Sequence, residues 1–402
     1  MALTKHFRPV HPFPARMAPE LVWDELPEST PRLRVLDPMA GSGTTLVTAR
    51  LRGHEAIGYD RDPLAVLIAR SWLTNVNPAE TEAKGADIIL RARLRARGMS
   101  LSNAYPRGAD DETKAFVRYW FDTTNRVQLA ALSDSISRLH DPSLRDLMWC
   151  AFSRLIITKR IGVSLAMDIS HSRPHRSYEK APVNAFDRFE HAVNQVIKSS
   201  PFSNKTDHSA ASMGFADARQ LPLRENTVDV VITSPPYLNA IDYIRGHKFS
   251  LIWMGHSLEK LRGVRTTNVG TETVAKTKEG DTGTENIMQM MCSVNNLSKR
   301  NAGMLRGYVR DMRAVLSETK RVLRSGGKAV FVVGNCNLRE TFVQNSRGIE
   351  GLAAELGMEV SKIRRRPLPE NRRYLPPPES MGAGKALKKR MREEVILTLL
   401  KN

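Results

Sequence analysis

The chain has 402 residues and a formal net charge of +19, from 61 lysines and arginines against 42 acidic residues. The length is ample for a buried core, and the charge favours a polyanionic partner, because cationic side chains release condensed counterions from phosphates. No run approaches ~18 apolar residues and the N-terminal stretch lacks an apolar signal core, so we expect no membrane span and a cytoplasmic protein, nucleoid-associated if prokaryotic. Cys150, Cys292 and Cys336 lack the paired spacing of a zinc site or a disulfide framework, so we expect no metal.

The first 76 residues predict one helix and then an alternating α/β pattern. Apolar residues at helical spacing after a proline predict the first helix, and short apolar runs predict the strands. The predicted elements are a helix at 18–26, a strand at 33–36, a helix at 46–51, a strand at 55–59 and a helix at 63–72. This order is typical of a doubly wound sheet.

The turn after the first strand has the residue types of a ligand-binding loop. Its two glycines let the backbone approach a ligand closely, and the helix behind them presents free N–H groups. A G-x-G alone is a weak signal, but Asp60 ends the second strand, where a doubly wound sheet places the acid that binds a ribose. The ligand contacts predicted for the turn are Asp37, Pro38, Ala40, Gly41, Ser42, Gly43, Thr44 and Thr45.

Residues 77–210 change to helical periodicity and predict an α-rich insertion. The predicted helices are 86–95, 114–120, 127–139, 144–157 and 185–197. Between the last two lies a loop with His171, Arg173 and His175, whose donors suit phosphates or base edges. A solvated basic loop explains these residues equally well.

A second turn with unusual chemistry follows the predicted fourth strand. Strand 211–216 ends in Asp217 and Ala218, and the β-branched run 228–232 leads into Thr233-Ser234-Pro235-Pro236-Tyr237. Two consecutive prolines stiffen this turn and remove two N–H donors, while serine supplies a hydroxyl acceptor and tyrosine a flat ring. A planar amine such as a nucleobase suits the site. A lone turn of this composition would favour an ordinary Pro-Pro turn, but the glycine turn upstream reverses that preference.

The rest of the chain predicts more α/β elements and two segments without an apolar period. A helix at 249–254, a helix at 309–323, a strand at 329–333, a helix at 352–356 and strands at 360–363 and 394–400 are predicted. Residues 262–300 are rich in Thr, Gly, Lys and Asn and predict a mobile loop that orders on DNA or a plain disordered insert. Residues 364–392 are the most basic stretch and are predicted to lie outside the core.

The glycine turn, Asp60 and the S-P-P-Y turn together resemble the DNA amino-methyltransferases, which transfer a methyl group from S-adenosylmethionine to an exocyclic base nitrogen. The resemblance implies an α/β, class I methyltransferase (Rossmann-like) fold, a doubly wound seven-stranded sheet with an α-rich insertion. It implies a catalytic domain of residues 1–76 and 211–402 and a target-recognition role for insertion 77–210. Strand 394–400 becomes the antiparallel, edge-reversed seventh strand.

The resemblance also implies S-adenosylmethionine as the cofactor. Phe13 lies in the segment that, in the family, packs over the methionine end, although the residues alone fit a proline-rich lead-in without ligand contact equally well. Asp217 with Ala218 would meet the adenine, and Asp60 the ribose. Family members usually carry an aromatic residue where Met39 stands, so the packing against the cofactor differs in detail.

The catalytic residues implied are Ser234, Pro235, Pro236 and Tyr237. The Ser234 hydroxyl and the Pro235 carbonyl would accept hydrogen bonds from the base amine, so that its lone pair turns toward the methyl group. Tyr237 would stack on a base extruded from the duplex. Serine at the first position favours N4 of cytosine in the family; N6 of adenine, methylation of RNA and a non-catalytic DNA-binding module stay open as alternatives.

Double-stranded DNA is the partner expected, and a cognate restriction endonuclease is a second candidate partner. Loop 262–300 is a further candidate for DNA contact, and the sequence does not give the oligomeric state. The DNA-binding residues predicted are His171, Arg173, His175, Arg245, Arg364, Arg365, Arg366, Arg372 and Arg373.

Overall fold

The computed structural model shows a central sheet covered by helices on both faces. It describes residues 7–14, 16–28, 31–159, 161–167, 169–170, 174–202, 209–238, 242–270, 282–338, 341–368 and 393–402. The predicted DNA-binding residues His171, Arg173, Arg372 and Arg373 lie outside these ranges.

The strands within the described ranges confirm the predicted seven-stranded sheet. In chain order they are β1 (Arg34–Asp37), β2 (Glu55–Asp60), β3 (Ala211–Phe215), β4 (Val228–Thr233), β5 (Leu323–Gly334), β6 (Cys336–Leu338), β7 (Thr341–Val343), β8 (Glu359–Pro367) and β9 (Glu393–Leu400). The main sheet has the order β3-β2-β1-β4-β5-β9-β8, and β6 and β7 form a separate two-stranded sheet. Strands β1 to β5 are parallel, and β9 is antiparallel to both of its neighbours.

Helices pack on both faces of this sheet. They are α1 (Pro19–Glu25), α2 (Thr44–Leu51), α3 (Pro63–Leu73), α4 (Pro78–Arg97), α5 (Asp111–Trp120), α6 (Thr123–Ser137), α7 (Pro142–Ile156), α8 (Ala185–Ser199), α9 (Tyr243–Leu251), α10 (Leu258–Thr266), α11 (Thr282–Met291), α12 (Lys299–Val322) and α13 (Asn345–Glu355). The sheet separates two hydrophobic cores, and consecutive strand residues point to different ones. Val35 and Val230 belong to the core formed with α1 to α10, whereas Leu36 and Val231 belong to the core formed with α11 to α13. Burial on both faces explains why these strands read as continuous apolar runs.

The insertion is not separated from the sheet. Its helices share one hydrophobic core with the strand face that carries Val35, and that core includes Val117, Leu129 and Phe189. Four of its helices start at residues whose side-chain oxygens accept from the first-turn N–H groups, as N-caps do. These caps are Asn77, Asp110, Asp122 and Asp141. All five helices predicted there are present. The helix predicted at 86–95 begins eight residues earlier, at Pro78, and the ends of the other four differ from the prediction by at most four residues.

Two predictions of local structure were wrong. The segment 262–300 was predicted to be irregular, but α10 ends within it, α11 occupies Thr282–Met291 and α12 begins at Lys299, while residues 271–281 lie outside the described ranges. α11 forms because Thr284, Ile287 and Met291 recur at helical spacing and bury one face. The helix predicted at 249–254 begins earlier, at Tyr243, and ends in a 3-10 turn at Ile252–Met254.

The far edge of the sheet also differs from expectation. Strand β9 is antiparallel as predicted, but it lies between β5 and β8 and is therefore not an edge strand. The edge is β8, which contains Arg364, Arg365 and Arg366. Among the described helices, none is both long and apolar enough to cross a membrane.

Candidate functional site

The turn between β1 and α2 brings main chain close to the carboxyl edge of the sheet. Gly41 and Gly43 have φ of +50° and +88°, a left-handed conformation that glycine adopts without a steric penalty. Space is restricted as well, since a β-carbon built on Gly43 would lie 2.8 Å from that of Ala69 on α3. The turn is therefore a backbone cradle that packs closely against α3, and α2 starts directly behind it at Thr44.

Asp37, the last residue of β1, organises this turn. Its buried carboxylate accepts hydrogen bonds from the Thr45 hydroxyl at 2.7 Å and the Met39 N–H at 3.2 Å. Burial raises the pKa of Asp37 to about 6, and the hydrogen bond from Thr45 opposes this shift. The carboxylate therefore fixes the turn from within, and its predicted contact with a ligand stays a prediction.

Asp60 joins the end of β2 to the same turn. One carboxylate oxygen accepts from the Gly41 N–H at 2.8 Å, and the other accepts from the Asp62 N–H at 2.9 Å. The Ala40 N–H donates to the Tyr59 carbonyl at 2.9 Å and ties the two strands further. Burial, and then the negative charge of Asp62, raise the pKa of Asp60 to about 6. Each oxygen keeps lone pairs that a ligand hydroxyl can use.

Phe13 lies over the glycine turn. A β-carbon built on Gly41 would be 3.5 Å from Phe13 Cε1, and the phenyl ring itself is buried. It stacks on Tyr243 of α9 with ring centroids 5.5 Å apart. The N-terminal segment and the helix that follows the S-P-P-Y turn thus meet above the cradle.

Asp217 follows β3 and is held by two arginines. One oxygen accepts from Arg61 at 2.9 Å and Arg219 at 2.8 Å, and the other accepts from the Arg219 side chain and main chain, both at 3.0 Å. Burial would raise the pKa of Asp217, but the hydrogen bonds from Arg219 outweigh it and hold that pKa below its usual range. Both arginines also donate to the Thr267 carbonyl, at 2.7 Å each. Because all four acceptor positions are filled, an adenine amine reaches Asp217 only if an arginine releases it. The adjacent Ala218 is buried in the core on the α12 face.

The S-P-P-Y turn continues β4 and is tied to β5. The Ser234 hydroxyl donates to the Val332 carbonyl at 3.0 Å, and its oxygen lies 3.4 Å from the Tyr237 hydroxyl. Pro235 is buried, whereas Ser234, Pro236 and Tyr237 are partly exposed. The turn therefore presents a rigid, partly accessible surface at the carboxyl end of its strand.

These turns meet where the strand order reverses. The chain builds outward from β1 through β2 to β3, then returns to place β4 on the other side of β1. Crevices at such a switch point are where doubly wound sheets bind ligands. The structure brings the glycine turn, Asp60 and the S-P-P-Y turn to this one edge, as the sequence predicted.

Comparison with known proteins finds relatives that match most of the chain. The chain is 23% identical over 378 residues to the type II methyltransferase M.BsoBI of Geobacillus stearothermophilus, covering 82% of this chain and 74% of that protein. It is 23% identical over 357 residues to M.MvaI of Kocuria varians (81% and 76% covered). It is 21% identical over 381 residues to M.AvaI of Nostoc sp. (82% and 74% covered).

The chain is a relative of the type II methyltransferases. The predicted relationship to S-adenosylmethionine-dependent DNA methyltransferases is confirmed, and with it S-adenosylmethionine as the cofactor. No protein-family model matches the chain. Among solved structures, geranyl diphosphate methyltransferase with bound cofactor gives a TM-score of 0.34 at 10% identity, over 96% of this chain and 84% of that one, which is too low to support any inference.

The residues at the switch point fit this cofactor. The left-handed turn at Gly41 and Gly43 brings main chain without side chains to the switch point, and Asp60 offers acceptors for ribose hydroxyls. Pro38, Ala40 and Ser42 belong to the same turn, and Thr44 begins α2 directly behind it. Within the described ranges, no group of three or more His, Cys, Asp or Glu side chains could hold a metal ion.

The described DNA-binding candidates are dispersed. His175 is exposed, and Arg245 on α9 pairs with Asp242 at 3.5 Å. On β8, Arg365 pairs with Glu393 at 2.8 Å, and Arg366 pairs with Glu394 at 3.4 Å. Arg364 pairs with Glu25 of α1. Their contact with DNA stays a prediction.

Two features of the site had no counterpart in the sequence prediction. One is Arg61, which bridges Asp217 and Thr267. The other is His247 of α9, whose Nδ1 lies 2.5 Å from the Asp62 carboxylate. Both contacts join residues more than 150 positions apart, so no local sequence pattern predicts them.

Proposed function

We propose that the protein is a site-specific DNA methyltransferase that transfers a methyl group from S-adenosylmethionine to N4 of cytosine in double-stranded DNA. The coarser assignment, a DNA methyltransferase that uses this cofactor, follows from the relatives. The choice of nitrogen and the roles of individual residues are the proposal. The nitrogen is chosen because serine stands first in the S-P-P-Y turn, which favours N4 of cytosine in the resembled family. The observation that supports the role of Ser234 is its hydrogen bond to Val332 at the switch point.

This hydrogen bond fixes what Ser234 offers to a substrate. A hydroxyl has one proton to donate and two lone pairs that accept. A carbonyl only accepts, so the Ser234 proton is used by Val332 and the oxygen is left as an acceptor. An exocyclic amine has protons to donate, and it is the group that such an oxygen binds.

Acceptors are what this reaction needs. The lone pair of an exocyclic amine is delocalised into the base, which makes the nitrogen a poor nucleophile until it becomes pyramidal. Hydrogen bonds from the amine to Ser234 Oγ and the Pro235 carbonyl hold its protons to one side and free the lone pair. The cofactor supplies an electrophilic methyl group on a sulfonium, so no covalent enzyme intermediate is required.

Tyr237 supports this arrangement from the same turn. A base in a duplex cannot reach a turn set at the edge of a sheet, so the target is extruded and needs a surface on which to stack. The partly exposed Tyr237 ring, three residues from Ser234, provides that surface.

The cysteines argue against the alternative chemistry at carbon-5 of cytosine, which uses a thiolate nucleophile. Burial raises the pKa of Cys150 and of Cys336 to about 12. Burial also raises the pKa of Cys292. Each thiol therefore stays protonated near neutral pH, and none lies in the S-P-P-Y turn.

The insertion offers a surface that suits DNA. The exposed Arg118 guanidinium lies 6.0 Å from the ring centroid of Tyr105, and that of Arg176, also exposed, lies 5.4 Å from that of Tyr119. Alternating cations and rings are typical of surfaces that bind nucleic acid. This supports a role for the insertion in DNA binding.

The test is incubation of the purified protein with labelled S-adenosylmethionine and separate pools of DNA and RNA, followed by mass spectrometry of the nucleosides. We expect label in DNA alone, as N4-methylcytosine. N6-methyladenine would overturn the nitrogen assigned and keep the reaction class, whereas label in RNA alone would overturn the substrate.

A further inference from the structure

The helical insertion contains a cavity of about 430 Å³ where α5 ends and α6 begins. This volume lies within the range of about 300 to 1,000 Å³ that is typical of ligand sites. Four cationic side chains line the cavity, against two carboxylates. The charged lining residues are Arg118, Arg126, Arg176, Lys180, Asp122 and Glu179. The cavity therefore has the size of a binding site and a charge that favours an anion.

The cations of this cavity have no acidic partners. None of the four forms an ion pair with a residue that the structure describes. Arg118 donates to the Tyr105 hydroxyl at 3.3 Å, and Arg176 donates to the Tyr178 carbonyl at 3.4 Å, so both contacts are with neutral acceptors. The hydrogen bond from Arg118 lowers the pKa of Tyr105, and the charge of Arg126 contributes to this shift. The positive charge in the cavity is thus not neutralised by the protein around it.

Arg126 is the buried member of the set. It lines the cavity although it is only 7% exposed. Its guanidinium donates to the Leu101 carbonyl at 3.1 Å and lies 4.6 Å from the ring centroid of Tyr105, which are again neutral partners. A buried charge loses its hydration and is normally compensated by an opposite charge. An anion bound in the cavity supplies that charge.

The two carboxylates of the lining do not take this role. Asp122 caps α6, since one oxygen accepts from the Asn125 N–H at 2.8 Å. Its other oxygen accepts from the Ala181 N–H at 2.8 Å and the Asn125 side chain at 3.2 Å. Glu179 is exposed and forms no ion pair within the described ranges. The guanidinium groups are therefore left for a ligand.

The cavity is built on the same core as the helix that follows the S-P-P-Y turn. Phe121 lines the cavity, and its ring centroid lies 6.4 Å from that of Phe249 on α9. The Trp120 ring of α5 lies 4.9 Å from the same phenyl group. A duplex that places one base in the S-P-P-Y turn brings its flanking phosphates to neighbouring elements such as these.

We propose that this cavity binds a phosphate group of the DNA backbone, with the exposed Arg118 and Arg176 as its direct ligands. Arg126 and Lys180 add positive charge. The planar guanidinium fork matches two phosphate oxygens, and such contacts position a duplex without reading its sequence. The inference rests on the proposed function, which supplies DNA as the partner.

A matched pair of double variants tests the site. Arg118→Gln/Arg176→Gln removes the direct ligands, whereas Arg97→Gln/Arg107→Gln removes the same charge from exposed positions of the insertion that do not line the cavity. Fluorescence anisotropy with a labelled duplex of mixed sequence gives the dependence of affinity on salt. We expect the slope to fall by about 0.9 in the cavity variant, the loss of one phosphate contact, and to change less in the control. An unchanged slope in the cavity variant, or equal changes in both variants, would overturn the inference. Melting curves check that each variant folds.

A third variant separates the charge from the fork. Arg118→Lys/Arg176→Lys keeps both charges but not the planar donors, so it should bind DNA more weakly than the wild type with a salt slope close to that of the wild type. A slope as low as that of the glutamine variant would contradict a contact with phosphate through these two side chains.

Inorganic phosphate tests the other source of the same anion. Calorimetric binding of inorganic phosphate to the wild type that is lost in Arg118→Gln/Arg176→Gln, with no change in the DNA slope, would make free phosphate the ligand and overturn the assignment to DNA. The slopes are measured without methyl transfer. A wild type that shows the expected slopes and methylates no DNA would therefore overturn the proposed function and keep the phosphate site. Methylation of DNA with an unchanged slope in the cavity variant would overturn the site alone.

Discussion

The Asp60 carboxylate accepts a hydrogen bond of 2.8 Å from the Gly41 N–H, so the acid that ends β2 also shapes the glycine turn that follows β1. The geometry of the turn and the proposed ribose contact therefore depend on one side chain. The pKa of Asp60 is raised to about 6, by burial first and the charge of Asp62 second, which places its titration within an accessible pH range.

We predict that cofactor affinity falls as the pH is lowered through 6. Protonation removes the charge that attracts a cationic ligand and turns one acceptor oxygen of Asp60 into a donor. Calorimetry with S-adenosylmethionine between pH 5 and 8 measures this. Asp60→Asn is the matched control, and it should bind more weakly at pH 8 with a smaller change toward pH 5. An acid dependence that is identical in the variant would assign the titration to another group.

Asp37 gives a prediction for stability, which should fall as the pH is raised, whereas the cofactor affinity above falls as the pH is lowered. Burial raises its pKa from 3.8 to about 6 in the folded protein, so the folded state binds this proton more tightly than the unfolded state does. The contribution of Asp37 to the free energy of unfolding is thus lost as the pH rises from about 4 to 6, by about 3 kcal/mol at most. Denaturant unfolding of the unliganded protein should show Asp37→Asn gaining stability relative to the wild type over this interval. A constant difference across these pH values would contradict the shift.

Ser234→Ala should reduce turnover far more than it weakens cofactor binding. The lost oxygen matters mainly when the amine becomes pyramidal, so we expect kcat to fall by about 10²-fold or more with a nearly unchanged Kd for S-adenosylmethionine. Ser234→Thr keeps the hydroxyl and is the control. A variant that loses cofactor affinity and keeps its kcat would show that Ser234 serves the cofactor and not the base.

The strands and turns are predictable from the sequence because the residue patterns that indicate them are local. An apolar run followed by small residues, or by Ser234 and two prolines, describes a strand end without reference to the rest of the chain. The Thr284, Ile287 and Met291 spacing of α11 is also local, but the polar residues of 262–300 around it obscure the apolar period. The His247–Asp62 and Arg61–Asp217 contacts join distant segments, and pairing of that kind has no sequence signal.

The arginines of β8 illustrate the same limit. Their basic composition suggested a phosphate-binding segment, but on a strand successive side chains point to opposite faces, which composition does not reveal. Arg364 and Arg366 share one face, Arg365 lies on the other, and each is paired with a glutamate. A flat DNA backbone along the sheet edge would therefore meet only one of the two sets.

We predict that replacing all three arginines with glutamine flattens the dependence of DNA affinity on salt, since each lost phosphate contact lowers the slope by about 0.9. Because the two sets lie on opposite faces, only one of two variants should show the same flattened slope. These variants are Arg365→Gln and the double variant Arg364→Gln/Arg366→Gln. Fluorescence anisotropy over a salt series measures the slopes, with Arg176→Gln on the insertion as a comparison. An unchanged slope in the triple variant would leave these arginines as partners of the glutamates alone.

The last prediction concerns Asp217, whose predicted contact with adenine competes with Arg61 and Arg219. If the adenine amine displaces one arginine, the carboxylate should discriminate against a base that carries a carbonyl in place of that amine, because two acceptors repel. The inosine analogue of S-adenosylhomocysteine should then bind the wild type about tenfold more weakly than the adenosine form. Asp217→Asn supplies an amide donor beside the acceptor and should reduce this ratio. If Asp217 only anchors the two arginines to Thr267, the ratio will be the same in the wild type and in Asp217→Asn. The variant will then bind the adenosine and the inosine ligand more weakly to the same degree. The comparison of ratios by calorimetry therefore separates recognition of the adenine from support of the site, independently of any loss of stability in the variant.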